Sequence, residues 1–290
     1  MITGSKSGPM VGILIMVLGM ITLASTDAIS KSLTDSFAVI QILWIRFIIF
    51  AGVGVFIALK KHGRQGFRTK RPVAQILRAL ILVTTNFMAV FTLSLMPMAD
   101  VHSILAISPI IVMAVSVPLL GEFLGSRRWL AVGVGFLGVL VILRPGVGVF
   151  EPVSLIALSV AVLFSSYTVL TKIISRDDTN ETTLFYTGIV GFICLTAIGP
   201  FFWLAPSAED WAWLIIAGIG GTLAHVFIIT ALHFAPASTL QPFNYIMLVW
   251  ATVLGFFVFN DLPDTWTLAG GSLIVLSGLY AWNRERLSNI

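Results

Sequence analysis

Charge is scarce in this sequence. Only 10% of its 290 residues are Asp, Glu, Lys or Arg, against roughly a quarter in an ordinary soluble domain. So few charges cannot cover the surface of a soluble fold of this length, which excludes a water-soluble globular protein. Cysteine is scarcer still. The lone Cys194 sits in an apolar run, which excludes a disulfide framework and a cysteine metal site and reads as a small buried hydrophobe.

Other absences bear on chemistry. His62, His102, His225 and His233 lack any metal-binding spacing. His225 and His233 are eight residues apart, which separates them by ~12 Å along a helix axis. No metal, cofactor or catalytic residue is expected, and the chain is not expected to be an enzyme. Gly218, Gly220 and Gly221 are not followed by Lys-Ser/Thr, so they read as close helix packing rather than a phosphate loop. The pairs Asp177-Asp178 and Asp261…Asp264 would suit a magnesium-diphosphate site but read as solvated loop acids. The basic run from Lys60 to Arg71 has no interleaved aromatic except Phe67, so no nucleic-acid partner is expected.

Apolar residues fill the space that these absences leave, at 58% of the chain. Charge, Gly and Pro divide them into ten segments: 10–29, 38–59, 73–95, 101–120, 128–143, 153–174, 182–204, 211–232, 237–259 and 265–282. About 20 residues at ~1.5 Å rise cross the hydrocarbon core as a helix. No segment alternates with period two, as a barrel strand would. The first segment is too long for a secretory leader and reads as a retained span. The expected fold is an all-α membrane protein with ten transmembrane helices, its surroundings a lipid bilayer.

Lysine and arginine set its direction. With both termini inside, fourteen cationic residues (Lys6, Lys60, Lys61, Arg64, Arg68, Lys70, Arg71, Arg78, Arg127, Arg128, Lys172, Arg176, Arg284 and Arg286) fall on the cytoplasmic side. Only Lys31 and Arg144 fall on the other side, and Arg46 lies within a span. This bias places the protein in the inner membrane, multi-pass, with both termini cytoplasmic. The outer loops hold acids instead, among them Asp35, Asp100, Glu151, Glu209 and Asp210.

The two halves echo each other. The run from Ser25 to Lys31 matches Ser166 to Lys172, Pro97 matches Pro236, and Gly121-Glu122 matches Asn260-Asp261, at offsets of 139–141. A constant register argues for duplication. Five helices per unit is an odd number, so the copies, 10–144 and 152–283, enter the membrane in opposite directions. Inverted repeats are an architecture of alternating access, with a cavity between the halves.

Residues in this order resemble a known family. Trp44-Ile45-Arg46-Phe47, Ser108-Pro109-Ile110, Leu120-Gly121-Glu122, Ala235-Pro236-Ala237-Ser238, Gln241-Pro242-Phe243, Val249-Trp250-Ala251 and Asp261-Leu262-Pro263-Asp264 are similar to the ten-helix, EamA-type branch of the drug/metabolite transporter superfamily. The resemblance spans roughly residues 10–283; Asn260-Asp261 departs from the Gly-Glu frequent there. It implies secondary transport of a small molecule without ATP. The run Thr26-Asp27-Ala28…Lys31 followed by Gln41…Trp44…Arg46 looks most like riboflavin and S-adenosylmethionine uptake proteins. Amino-acid or metabolite export is the other activity the resemblance implies, and a homodimer is compatible with it.

Polar residues within spans are costly and mark cavities. The candidates are Asp27, Trp44, Arg46, Asn86, Tyr167, His225, Gln241, Asn244, Tyr245 and Trp250. Arg46 lies about eight residues into its span and needs a partner; Asp27 is the acid placed to supply it, and the pair would shape the outer cavity or bind an anionic substrate group. Gln241, Asn244 and Tyr245 fall on one helix face beside Pro242. Trp44 and Trp250 would stack an aromatic ring or pack against neighbours. A membrane-embedded enzyme or lipid-handling scaffold is the alternative to transport. Clustered catalytic groups would favour it, and an inverted repeat counts against it.

Overall fold

A computed structural model describes residues 8–121, 126–143, 152–261 and 263–288, and regular structure among them is helical throughout. Lys6, Glu122, Arg144, Glu151 and Leu262 lie outside the described residues.

The first half runs α1 (Gly8–Leu33), α2 (Val39–His62), α3 (Pro72–Leu95), α4 (Met98–Leu105), α5 (Ser108–Leu120) and α6 (Ser126–Leu143). The second runs α7 (Val153–Ile174), α8 (Asn180–Thr196), α9 (Ala208–Phe234), α10 (Ala237–Leu240), α11 (Tyr245–Phe259) and α12 (Thr265–Ser288). Short 3₁₀ turns cover Gly63–Phe67, Gly199–Phe202 and Gln241–Asn244.

Seven stretches are long and apolar enough to cross a bilayer: Met10–Leu33, Val39–Phe67, Pro72–Leu95, Met98–Leu120, Val153–Ile174, Ala208–Phe234 and Ala237–Phe259. The other three expected spans coincide with α6, α8 and α12. The apolar parts described in α6 and α12 are shorter, Gly133–Ile142 and Thr265–Ser277. α8 has 17 residues. The apolar run expected to reach Leu204 is not one helix, because α8 ends at Thr196 and the chain tightens into the turn Gly199–Phe202.

Local chemistry explains the ends. Pro72 opens α3 at a position where a missing N–H costs nothing. Ser207 and Asp210 form a reciprocal capping box on α9, and Thr179 caps α8. α5 ends on Gly121 at φ 71° and α11 ends on Asn260 at φ 56°, both left-handed. Asn is the residue after Gly that best tolerates that conformation. The departure at Asn260 therefore keeps the same terminator.

The molecule turns large apolar side chains outward and buries polar ones among its apolar core. Leu14, Phe56, Phe201 and Phe257 point outward, while Ser30, Gln41, Arg46, Gln75, Arg78 and Thr187 are buried. α1 packs mainly on α9, α3 on α7, α2 on α8 and α6 on α12. Glycines permit these approaches. A Cβ at Gly188 would stand 2.7 Å from the Ala51 backbone of α2, and one at Gly270 would stand 2.5 Å from the Gly138 carbonyl of α6.

Two readings of charge need correction. Arg78 is fully buried in α3 rather than placed at the cytoplasmic surface, because α8 offers it acceptors: its Nη2 donates to Thr183 O at 2.9 Å and Thr187 Oγ1 at 2.5 Å. Asp177 and Asp178 are not solvated loop acids. Asp178 is buried and accepts from Thr69, from the Lys70 backbone N–H at 2.9 Å and from Gln75 at 2.9 Å, while Asp177 pairs with Arg71 at 2.6 Å. The run from Lys60 to Arg71 supplies these donors except Gln75, which comes from α3, so the acids fasten it to the α7–α8 turn.

Candidate functional site

The site begins with two helix breaks. α4 stops at Leu105 and α5 restarts at Ser108-Pro109. Proline disfavours helical geometry in the residue before it and donates no backbone hydrogen bond. In the second half, α10 passes through the 3₁₀ turn Gln241–Asn244, which contains Pro242, before α11 begins. Loosened backbone of this kind is tolerated at membrane depth where it faces protein or a cavity.

A narrow cavity, open in part to solvent, lies beside both breaks and is lined by Ser108, Pro109 and Asn244 there. Its walls are largely apolar, with Met20 and Leu23 from α1, Leu82 from α3, Phe164 from α7 and Met247 and Leu248 from α11. Its polar groups come from both halves: Asp27, Thr85, Asn86, His102, Ser108, His225 and Asn244. A mostly apolar cavity with a few converging polar groups is the ordinary form of a small-molecule site.

Those groups are sparsely bonded. His102 Nε2 stands 3.6 Å from Asp27 Oδ2, with both side chains buried. Among the described residues, His102 Nε2, both ring nitrogens of His225 and Asn244 Oδ1 have no hydrogen-bond partner. Asn86 donates to Leu82 O at 2.9 Å and accepts from Arg46 Nη2 at 3.4 Å.

Four of the ten sequence candidates therefore line the cavity: Asp27, Asn86, His225 and Asn244. Arg46 stands behind Asn86, held also by Ser30 at 3.2 Å. Of the expected Asp27–Arg46 contact, direct or through water, the direct form is absent among the described residues, where the ion-pair neighbour of Asp27 is His102. Arg46 turns instead toward a slot at Gly221, where a Cβ would meet its Nη2 at 2.7 Å.

The remaining candidates are placed elsewhere. Tyr167 is fully buried, its ring 5.4 Å from the Arg78 guanidinium and edge-on to His225 at 5.9 Å. Gln241 bonds back to Ala237 O and accepts from Asn244 at 2.9 Å. Tyr245 is buried in an apolar cluster. Gln241 and Asn244 do share a face, since the 3₁₀ turn at Pro242 eclipses i and i+3, but Gln241 is fully buried behind Asn244 and Tyr245 lies in the apolar cluster. Only Asn244 of the three lines the cavity.

The tryptophans serve as packing groups. Trp44 donates to Thr196 at 3.0 Å and meets Trp203 edge-on at 6.0 Å, and Trp203 in turn meets Trp211 at 6.1 Å. Such a group suits a membrane–water boundary. Trp250 donates to Ser25 at 2.9 Å. His102, Thr85 and Ser108 were missed as cavity residues. The signal that could have found His102 is its spacing of seven from Pro109, on the far side of the Ser108-Pro109 break.

Apolar helices with polar side chains turned inward around such a cavity define a multi-pass membrane protein of the small-molecule carrier class. The model of the EamA-like transporter family matches residues 10–144 and again residues 152–281. The chain belongs to the EamA-like transporter family, and it is a transporter of a small metabolite.

Named relatives vary in what they carry. The S-adenosylmethionine uptake transporter of Rickettsia prowazekii (strain Madrid E) is 25% identical over 277 residues, covering 96% of this chain and 94% of its own. The riboflavin transporter of Vibrio cholerae serotype O1 is 31% identical over 218 residues, 74% of this chain and 72% of its own. The pseudopaline exporter CntI of Pseudomonas aeruginosa (strain UCBPP-PA14) is 24% identical over 271 residues, 92% of this chain and 94% of its own. A solved protein structure superposes with a TM-score of 0.71 at 22% identity, covering 99% of this chain and 100% of its own, a likeness of fold alone.

Proposed function

We propose that the protein is a secondary active transporter that takes up S-adenosylmethionine across the inner membrane, working by alternating access between two inverted halves. The halves, residues 10–144 and 152–283, contribute five spans each, ten in all, with both termini cytoplasmic. The observation that carries this reading is the cavity, whose polar lining comes from Asp27, Asn86 and His102 on one half and His225 and Asn244 on the other. A site shared by two halves changes its access when one half rocks against the other.

S-adenosylmethionine is placed ahead of riboflavin because the relatives named for it align over nearly the whole chain, 93–96%. Riboflavin uptake and metabolite export are the remaining activities to be tested in parallel. Proteoliposomes should accumulate labelled S-adenosylmethionine, and unlabelled S-adenosylmethionine should suppress the signal more than riboflavin or aromatic amino acids do. Accumulation no faster than in empty liposomes would remove this substrate. A reporter fused after Ile290 should be active in the cytoplasm and silent in the periplasm; periplasmic activity would overturn the ten-span topology.

A further inference from the structure

Asp27 is the acid facing the cavity; among the described residues its neighbour within ion-pair distance is His102, and the Arg46 charge acts on it only from further off. It lies six residues before the end of α1, hence ~9 Å along the helix axis from that end. Its side chain is 9% exposed and its oxygens are 3.6 Å or more from any charged nitrogen. The cations that sequence spacing would offer are committed elsewhere. Lys31, one turn on, donates to Leu93 O at 2.6 Å and Met96 O at 2.8 Å at the end of α3. Arg46 is held by Ser30 and Asn86. Arg78 is held on α8. His102 approaches Asp27 through a nitrogen that makes no hydrogen bond.

A carboxylate in apolar surroundings is costly unless a cation or several donors face it. Here it borders the cavity, which Phe164 also lines, and an aromatic ring can attract a cation. Unpartnered polar atoms on His225 and Asn244 line the same space.

We propose that Asp27, together with His102, is the recognition point for a cationic group of the transported molecule, an ammonium or a sulfonium. This deepens the transport reading and rests on it. It also reverses the expectation that Arg46 would receive an anionic group, because Arg46 is screened from the cavity by Asn86. Once the cationic group is seated, its charge replaces the missing partner of Asp27. His225 and Asn244 then hydrogen-bond the polar remainder, and Met20, Leu23 and Met247 cover the apolar part.

The test reads cavity charge without depending on substrate identity. Ala106 lines the cavity, so Ala106→Cys is made in a Cys194→Ser background. Its reaction with a trimethylammonium methanethiosulfonate and with a sulfonate analogue is compared, each rate divided by that of a free thiol. The cationic reagent should be favoured by about tenfold or more, as a cleft of one sign concentrates its counter-ion. Asp27→Asn should abolish the preference and Asp27→Glu should retain it. Asp35→Asn, at an exposed loop carboxylate, should leave it unchanged.

Choline should slow the labelling while its neutral isostere 3,3-dimethylbutanol does not, a readout that needs no change at Asp27. Equal relative rates for the two reagents, no reaction of either at Ala106→Cys, or equal effects of choline and its isostere would overturn the assignment. If S-adenosylmethionine is not accumulated by proteoliposomes but the cation preference holds, the named substrate falls and the cation site stands.

Discussion

Lys31 and Lys172 do the same thing in the two halves. Lys31 Nζ donates to Leu93 O and Met96 O at the end of α3, at 2.6 and 2.8 Å. Lys172 Nζ donates to Leu232 O and Ala235 O at the end of α9, at 2.7 and 3.0 Å. In each half the cation at the end of a first helix meets the open carbonyls of a third helix, where the helix dipole also favours positive charge. The equivalence extends one turn further, where Thr34 and Ser175 bond back to the carbonyls of Lys31 and Lys172.

Lys31→Met and Lys172→Met should each destabilise the protein. A hydrogen bond from a charged donor contributes ~1.5–3 kcal/mol, and its loss also orphans buried carbonyls. Thermal unfolding in detergent should show both variants melting below wild-type by similar amounts. A loss confined to one lysine would show that the two contacts are not equivalent.

The helices were legible because apolar length is a local property. The matching places of Gly121 and Asn260 in the two halves were visible too, but their left-handed conformation came only with the structure. The partner of each buried charge was not. The acceptors of Lys31 are backbone carbonyls, which every residue carries and no sequence pattern marks. Arg46 was paired with Asp27 by the logic of opposite charge. Its placement depends on a slot at Gly221, on a helix 175 residues away. Asn86 and His225 were found because polarity inside an apolar run is visible locally. His102 went unweighed as a cavity residue because it was judged only as a metal ligand.

The slot at Gly221 gives a direct expectation. A Cβ there would lie 2.7 Å from Arg46 Nη2 and 3.1 Å from Nε. The guanidinium is buried and held by Ser30 and Asn86, so it has little room to yield. Gly221→Ala should lower both the melting temperature and uptake. Gly52→Ala is the control, because a Cβ at Gly52 meets nothing within 4 Å; in a helix interior alanine is favoured over glycine by ~1 kcal/mol. Equal behaviour of the two variants would sink the argument.

Glu181 should confer a pH-dependent stability. It sits in the first turn of α8, ahead of the expected span, with Lys61 Nζ at 2.6 Å and His62 Nε2 at 3.4 Å. Partial burial works against ionisation, but the bond from Lys61, the backbone bond, the Lys61 charge and the bond from His62 outweigh it and hold the carboxyl below its usual 4.5. A depressed folded value means that the stabilisation is present above the unfolded value and is lost as pH falls through the folded one. Glu181→Gln should therefore melt below wild-type at pH 7, and the gap should close as the pH falls below about 4. A gap independent of pH would assign the effect to shape rather than charge.

Arg78 separates stability from function. It is fully buried, and Nη2 makes bonds to Gln75, Thr183 and Thr187, but among the described residues Nε and Nη1 have no hydrogen-bond partner. Among the described residues no carboxylate lies within ion-pair distance of it. The ring of Tyr167 at 5.4 Å offsets part of the buried charge. Replacing a buried charge by an apolar side chain of similar volume is often neutral or stabilising by ~1–4 kcal/mol, whereas a small replacement leaves a hole. Arg78→Met should thus melt at or above the wild-type temperature, and Arg78→Ala below it. Uptake should fall in both, because Arg78 ties α3 to α8 across the two halves and its unsatisfied donors are available to new acceptors when the halves move. Thermal unfolding alongside flux in proteoliposomes reads the two effects separately. If Arg78→Met melted well below wild-type, the arginine would be a structural tie. If it melted normally and transported normally, Arg78 would have no part in the moving contact between α3 and α8.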